Sequence, residues 1–137
     1  MIRVVFDTST LVAAIFWPRS TARRAWTTVA RRQARPCVTE PIETEYRRTC
    51  LEVQHTRFPD RSPLPFLGWI HAKALHCVPA PLGKPRSRDR GDGPFLACAL
   101  AAEAKCVVSS DRDLLALGKP FGIAIITPAQ FLGHVGR

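Results

Sequence analysis

Four acidic residues that lie far apart in the chain could together perform one kind of chemistry. They are Asp7, Glu45, Asp92 and Asp111, and each follows a strand pattern or lies within a neighbouring helix pattern. Carboxylates that gather within a few ångström repel one another unless a cation neutralises their charge. Hard divalent cations prefer oxygen ligands, and Mg²⁺ keeps water molecules that a substrate phosphate can replace. The four acids therefore predict a metal pocket suited to phosphate chemistry.

The charge of the rest of the chain indicates what that pocket would act on. The chain has 20 Lys and Arg residues against 11 Asp and Glu residues, a net charge of +9, which favours a polyanionic partner. RNA or DNA fits this charge, although an anionic membrane surface or an acidic protein would fit it too. Two ions about 3.5–4 Å apart would activate a water molecule and stabilise the leaving oxygen of a phosphodiester. We therefore expect Mg²⁺ or Mn²⁺ as cofactor and hydrolysis of nucleic acid as the reaction.

The elements that must position these acids alternate between strands and helices. Ile2–Phe6 is a short apolar run that predicts a buried strand, and Thr8–Phe16 predicts the helix that follows it. Residues 106–109 predict another buried strand, and residues 113–117 a short helix. Parallel neighbours need crossover connections, so this alternation predicts a parallel sheet covered by helices on both faces. We expect a single domain over residues 1–137, of the α/β class, folded as a three-layer α/β/α sandwich with a mainly parallel central sheet.

The remaining predicted elements continue the same alternation. The first of them, over residues 21–34, is an amphipathic helix with a basic stripe, and the others are strands and helices separated by proline-rich loops. They are a helix over 21–34, a strand over 37–39, a helix from 41 to about 53, a helix over 66–74, a strand over 75–78, a helix from 92 to 104, a strand over 123–126 and a terminal helix from Pro128.

The predicted sheet would bring the acids to one edge. In open α/β sheets, sites form outside the carboxyl ends of the strands, and Asp7 and Asp111 directly follow strand patterns. Asp92 begins the helix before the strand at 106–109, and Glu45 lies near the start of its helix. Asp7, Asp92 and Asp111 would also serve as helix N-caps without any metal, and Glu45 alone would be an ordinary solvated helix residue. Their joint placement beside one edge favours the metal pocket.

The chain resembles the PIN-domain ribonucleases, in the bacterial branch of toxin components of toxin–antitoxin pairs. The resemblance is carried by four segments, VVFDTSTLVAAIF, PIETEY, RDRGDGPFLACALAAEAKCVVSSDRDLLAL and IITPAQFL, and is most specific over residues 88–117. It implies a Mg²⁺- or Mn²⁺-dependent endoribonuclease that acts through an activated water, with no covalent protein intermediate. It also implies RNA as substrate, a cognate antitoxin protein and a homodimer.

The resemblance also assigns roles to individual residues. It makes Asp7, Glu45, Asp92 and Asp111 the catalytic metal ligands. It makes the hydroxyl residues Thr8 and Ser109 supports for these acids.

Three positions differ from the pattern of that family. Ser9 stands where an Asn usually follows the opening Asp-Thr pair, and Ala13 where a Ser is frequent. Gly93 stands where a second Asp commonly follows the third acid. These differences spare the four principal acids and concern the groups that orient them, which affect metal affinity and rate.

Further charged residues lie near the predicted pocket. Asp89 and Asp113 are additional carboxylates beside the two later acids, and Asp89 could replace Asp92 as a ligand. Neutralisation of phosphate supplies most sequence-independent affinity for nucleic acid, so basic residues near the pocket could bind RNA; a solvated basic face is the alternative. The candidate substrate-binding residues are Arg24, Arg31 and Arg35 in the amphipathic segment and Lys84, Arg86, Arg88 and Arg90 in the proline-rich, basic connector over residues 79–90.

Other functions fit part of the pattern. A nonenzymatic nucleic-acid or protein-binding module would use the same basic surface. A phosphatase of the haloacid-dehalogenase type would need a second acid two residues after Asp7, where Ser9 stands, and a receiver domain would need an acidic pair before Asp7. A nucleotide-binding P-loop is excluded, because residues 83–85 (Gly-Lys-Pro) lack the upstream Gly and the following Ser or Thr.

The remaining composition argues against several site classes. No apolar run approaches the 18 residues that cross a bilayer, and no signal-peptide core is evident, so we expect a cytoplasmic protein with no membrane role. The five cysteines are odd in number and never form a CxxC pair, which predicts reduced core thiols. The four histidines show neither HxxxH nor HExxH spacing, so surface positions are expected and a zinc site is not.

Overall fold

A parallel β-sheet forms the centre of the fold, as the alternation of strands and helices predicted. The structure is a computed structural model, and it describes residues 1–82 and 93–135. Every pair of neighbouring strands in the described part of the chain is parallel. The strands are β1 (Ile2–Phe6), β2 (Ala34–Val38), β3 (Leu75–His76), β4 (Cys106–Val108) and β5 (Ala124–Ile126).

Helices connect the strands and cover the sheet. The short helix between β4 and β5 is followed by a 3₁₀ turn at Pro120–Gly122. Among the described residues, none of the helices combines the length and the apolar character needed to span a bilayer. The helices are α1 (Thr8–Phe16), α2 (Thr21–Ala30), α3 (Glu40–Arg57), α4 (Leu64–Lys73), α5 (Gly93–Ala102), α6 (Arg112–Leu115) and α7 (Pro128–Val135).

The strand order has a switch point, at which successive strands stop being added on one side of β1 and begin to be added on the other. The order across the sheet is β3-β2-β1-β4-β5. Strands β2 and β3 therefore lie on one side of β1, and β4 and β5 lie on the other. The reversal lies between β1 and β4, whose residues pair from Val4 with Cys106 to Phe6 with Val108. Ligands of open α/β sheets bind beside such a reversal, at the carboxyl ends of the strands.

Buried apolar side chains from both the strands and the helices form the core. Val4, Val5 and Phe6 of β1 are fully buried, because this central strand is covered on both faces. The Phe6 ring stacks on Trp26 of α2 with a centroid distance of 4.0 Å and meets Phe131 of α7 edge-on at 5.7 Å. Helices α2 and α7 therefore cover the face of the sheet toward which Phe6 points. The structure confirms the predicted three-layer α/β/α architecture.

One predicted element differs from the structure in a way that affects the proposed substrate contacts. The predicted helix over residues 21–34 is present, but its predicted end is wrong, because α2 ends at Ala30 and Arg31 caps it. Arg32 has a positive φ of 59°, and the backbone carbonyl of Gln33 accepts a hydrogen bond from the Ile2 N–H. This turn starts β2 at Ala34, so the sheet takes residues that helical spacing assigned to α2. Arg35 therefore lies in a strand.

Candidate metal centre

Asp7 lies where the strand order reverses, between β1 and β4. It is the first residue after β1, and Ser109 is the first residue after β4. The Asp7 N–H donates to the Val108 carbonyl at 3.0 Å, and the Ser109 N–H donates to the Ile126 carbonyl at 2.9 Å. Backbone hydrogen bonds thus continue past the ends of the strands and hold these two residues side by side.

The carboxylate of Asp7 is buried and surrounded by hydroxyl groups. Asp7 is 4% exposed. Its Oδ1 accepts from the Thr10 N–H at 2.9 Å and from the Thr10 hydroxyl at 2.7 Å, and the Ser9 hydroxyl lies 2.9 Å from both oxygens. The Ser109 hydroxyl donates to Oδ2. Asp7 therefore caps α1, as an N-cap residue would, and it also faces the end of β4.

The environment of Asp7 shifts its ionisation. Burial raises the pKa of Asp7 above its ordinary value of 3.8, while hydrogen bonds from Ser109, Thr10 and Ser9 oppose the shift. Among residues 1–82 and 93–135, no Lys or Arg side chain forms an ion pair with Asp7, Glu45 or Asp111. The charged form of Asp7 thus lacks a described cationic partner, which a bound cation would supply.

Ser109 connects Asp7 to the last of the four acids. Its hydroxyl accepts a hydrogen bond from the Asp111 N–H at 2.9 Å while it donates to Asp7. The half-buried Asp111 caps α6, because its Oδ1 accepts from the Asp113 N–H at 2.8 Å and from the Leu114 N–H at 3.3 Å. These two bonds use only Oδ1. Asp113 is exposed in the first turn of α6.

Glu45 joins the same group from a distant part of the chain. The Thr8 hydroxyl donates to Oε2 of Glu45, although the two residues are 37 positions apart. The adjacent Tyr46 is fully buried, and its hydroxyl donates to the carbonyl of Phe6. These two contacts attach α3 to the end of β1 immediately before and after Asp7. They bring Glu45 beside the residue that follows Asp7.

Several candidate residues lie outside the described part of the chain. Helix α5 begins at Gly93, directly after Asp92, and packs against β1, β2 and β4. Among the described residues, Ser109 links Asp7 to Asp111 and Thr8 holds Glu45, but the carboxylate oxygens of these three acids do not all lie within 4.8 Å of one another. The candidates that lie outside the described residues are Asp89, Asp92, Lys84, Arg86, Arg88 and Arg90.

The three arginines of the amphipathic segment do not form the predicted helical stripe. Arg35 lies in β2, and its partner in the register of the two neighbouring strands is Arg3 of β1. Asp7 is four residues further along from Arg3, or about 13 Å at the rise of an extended strand. Arg24 and Arg31 are exposed and line a surface pocket between α2 and α7. Arg35 therefore lies toward the amino end of the sheet, whereas Asp7 lies at the carboxyl end.

Sequence reasoning missed several residues that support the site. Ser9 and Thr10 bind the Asp7 carboxylate, and Tyr46 holds the end of β1. The run of hydroxyl residues after Asp7 was a signal for the first two, because N-cap acids are bonded by groups two or three positions later. Arg112 is exposed directly after Asp111 and is a basic residue near the carboxyl end of β4.

Comparisons with known proteins are consistent with this geometry. A family model described as PIN domain matches residues 3–113. Among solved structures, the crystal structure of PAE2754 from Pyrobaculum aerophilum aligns with a TM-score of 0.61 over 98% of this chain and 90% of that chain. The sequence identity is 15%, so this likeness shows the fold alone. No curated protein matches the sequence significantly.

Proposed function

The chain belongs to the PIN domain family, and we propose that it is a divalent-metal-dependent endoribonuclease that hydrolyses phosphodiester bonds of RNA. Membership supports nuclease activity in general, since PIN domains are generally nucleases. The observation that carries the metal dependence is the linked set of acids at the β1–β4 reversal. Buried Asp7 is joined through Ser109 to Asp111, and the neighbouring Thr8 holds Glu45.

The donor set fits a hard divalent cation. Carboxylate oxygens are the ligands that Mg²⁺ and Mn²⁺ prefer, and Asp7, Glu45 and Asp111 form no ion pair with a basic side chain of the described residues. Asp7, Glu45 and Asp111 would hold the ion, with Asp92 as the fourth acid and Asp89 and Asp113 as additional candidates. When bound, the ion would lower the barrier by activating water and by neutralising charge on the phosphate.

The residues of the chain itself orient this donor set. Thr10 and Ser109 bond different oxygens of Asp7, so the plane of its carboxylate is defined before any ion binds. Thr8 defines the position of one oxygen of Glu45. Outer groups of this kind orient metal ligands and raise the affinity of a site for its ion.

Basic residues would neutralise the RNA backbone near the acids. The net charge of +9 supports an RNA partner through phosphate contacts. Arg112 is the exposed basic residue next to Asp111, and Lys84, Arg86, Arg88 and Arg90 belong to the segment that leads to α5. Arg24 and Arg31 offer a second basic surface beside α7.

The biological setting of the proposal rests on the resemblance to toxin components of toxin–antitoxin pairs. It makes the protein a cytoplasmic toxin, with a cognate antitoxin protein as partner and a homodimer as its assembly. Light scattering of the purified protein tests the homodimer, which has twice the 15.2 kDa mass of the chain.

The central experiment measures cleavage of several RNAs by the purified chain in Mg²⁺, in Mn²⁺ and in a chelator. We expect cleavage with either ion, none in the chelator, and recovery when the ion is returned. Asp7→Asn, Asp92→Asn and Asp111→Asn should each abolish cleavage, whereas Asp60→Asn, on an exposed residue, should leave it unchanged. Full activity of Asp7→Asn at limiting metal would refute the proposal.

A nonenzymatic nucleic-acid or protein-binding module is the second candidate, since the basic surface serves it equally well. It predicts that the protein binds RNA but cleaves none with any divalent ion. It also predicts that Asp92→Asn leaves the biological effect intact. A gel-shift assay run beside the cleavage assay, at the same ion concentrations, separates the two candidates.

A further inference from the structure

Two histidines and a glutamate form a compact cluster where α3, the end of α4 and β3 meet. The His71 Nδ1 lies 2.8 Å from Oε2 of Glu43, and the His76 Nδ1 lies 3.4 Å from Oε1 of the same carboxylate. The two imidazole rings meet edge-on with a centroid distance of 4.6 Å. One ligand atom from each residue lies within 4.8 Å of the other two, so a single ion could contact all three.

This cluster is separate from the acids at the β1–β4 reversal. Glu43 precedes Glu45 by two residues on α3, and two residues correspond to a rotation of about 200° around a helix. Glu45 reaches Thr8, whereas Glu43 reaches the end of α4 and the start of β3. The two carboxylates therefore serve opposite sides of α3.

The hydrogen bonding of His76 determines which of its nitrogens is available. Its Nε2 lies 2.9 Å from the backbone carbonyl of His71, and a carbonyl only accepts, so Nε2 carries the proton. In the neutral ring the lone pair is then on Nδ1, which faces Oε1 of Glu43 at 3.4 Å. Two acceptors that face each other favour a cation between them. Histidines that bind metals usually donate their other N–H to a carbonyl or carboxylate, as His76 does.

We propose that Glu43, His71 and His76 bind one Zn²⁺ ion. Imidazole and carboxylate ligands suit zinc, and three protein ligands with one open position for water form a known zinc arrangement. The His71 and His76 side chains are 68% and 45% exposed, so water has access to the fourth position. The ion would join α3, the last turn of α4 and the edge strand β3. This zinc site differs in its ligands from the acidic pocket, whose oxygen donors favour Mg²⁺ or Mn²⁺.

Zinc binding by the untagged 137-residue chain tests this site. Calorimetric titration with Zn²⁺ in excess Mg²⁺ should show one high-affinity site in the wild type and in Asp7→Asn. His71→Ala and His76→Ala should each weaken binding at least about 10-fold, and Glu43→Gln, which keeps the shape of the side chain, should weaken it as well. His55→Ala and His134→Ala, on exposed histidines outside the cluster, should bind as the wild type does.

A thermal melt with and without Zn²⁺ gives an independent readout. Zinc should raise the Tm of the wild type and of His55→Ala but not that of His71→Ala, because an ion that binds only the folded state stabilises it, and His71→Ala lacks one of the ligands. Unchanged zinc affinity in His71→Ala and Glu43→Gln would overturn the proposal. A Tm of the wild type that does not change when zinc is added would overturn it as well. That last result would mean that the cluster is a histidine–glutamate hydrogen-bond network only. Loss of binding in Asp7→Asn alone would assign the zinc to the acidic pocket instead.

Discussion

The hydroxyl of Ser109 links Asp7 to Asp111, because it donates to Oδ2 of Asp7 and accepts from the Asp111 N–H at 2.9 Å. Ser109 is fully buried and directly follows β4, whereas Asp7 directly follows β1. The parallel register of the two strands places this hydroxyl between the two acids. A single side chain therefore orients both the first and the last acid of the proposed metal site.

Ser109→Ala should lower the affinity of the proposed site for its metal ion without unfolding the protein. Loss of the hydroxyl leaves Ser9 as the remaining described donor to Oδ2 of Asp7 and leaves the Asp111 N–H without its partner. Removing an outer group that orients a ligand typically costs about 10–100-fold in metal affinity or activity. The Mn²⁺ concentration for half-maximal RNA cleavage should rise accordingly. Ser110→Ala, on the exposed adjacent residue, is the matched control, and equal metal dependence of the two variants would contradict this role.

Asp7→Asn should remove a pH-dependent cost from the metal-free protein. Burial raises the pKa of folded Asp7 above 3.8, so between that value and the raised one the folded state keeps a proton that the unfolded state has lost. Unfolding free energy therefore falls as pH rises through this interval, and the loss persists at higher pH. Urea unfolding in chelator should show Asp7→Asn gaining stability relative to the wild type as pH rises. A constant difference across pH would show that Asp7 ionisation is not coupled to folding.

Tyr46→Phe should destabilise the fold by about 0.5–1.5 kcal/mol, the net contribution of a typical hydrogen bond. The Tyr46 hydroxyl is buried and donates to the Phe6 carbonyl, at the end of the strand that presents Asp7. Urea unfolding of the two proteins measures the difference. Equal stability would mean that another group, or water, satisfies the Phe6 carbonyl in the variant.

The same residue provides a spectroscopic test. Burial raises the pKa of Tyr46 well above 10.0, with Asp7 and Glu45 contributing smaller effects of the same sign. Tyr46 is the only tyrosine in the chain, so near-ultraviolet absorbance reports its ionisation alone. The phenol of the folded protein should resist ionisation at pH 10 and titrate only as the protein unfolds in alkali. Ordinary titration of the folded protein near pH 10 would place Tyr46 at the surface.

One of the five thiols should react in the folded protein, and all five after unfolding. All five cysteines are free, and the half-buried Cys77 is the most accessible of them. Burial raises the pKa of Cys37 and Cys106 to about 11 and that of Cys50 to about 12, and it raises the pKa of Cys98 further. The thiolate is the reactive form, so these four should resist a thiol reagent at pH 8. Rapid modification of more than one thiol would show that the core opens readily.

The local pattern of the chain determined the elements that carry the acids. The apolar run at residues 2–6 predicted β1, and Asp7 predicted the start of α1, because strand propensity and helix capping act between residues close in sequence. The predicted end of α2 was wrong for the converse reason. Ala34 pairs with Ile2 in the sheet, which ends the helix earlier, and that pairing joins residues 32 positions apart.

The contacts that link the described acids were decided by the tertiary structure. The sequence presented separate acids and, by resemblance, their order, but only the placement of β1 between β2 and β4 brings Ser109 to Asp7. The histidine cluster had no recognisable spacing, because Glu43 meets His71 and His76 only where α3, α4 and β3 pack together. Side chains distant in sequence meet through strand order and helix packing, which depend on the burial of the whole core rather than on any local pattern.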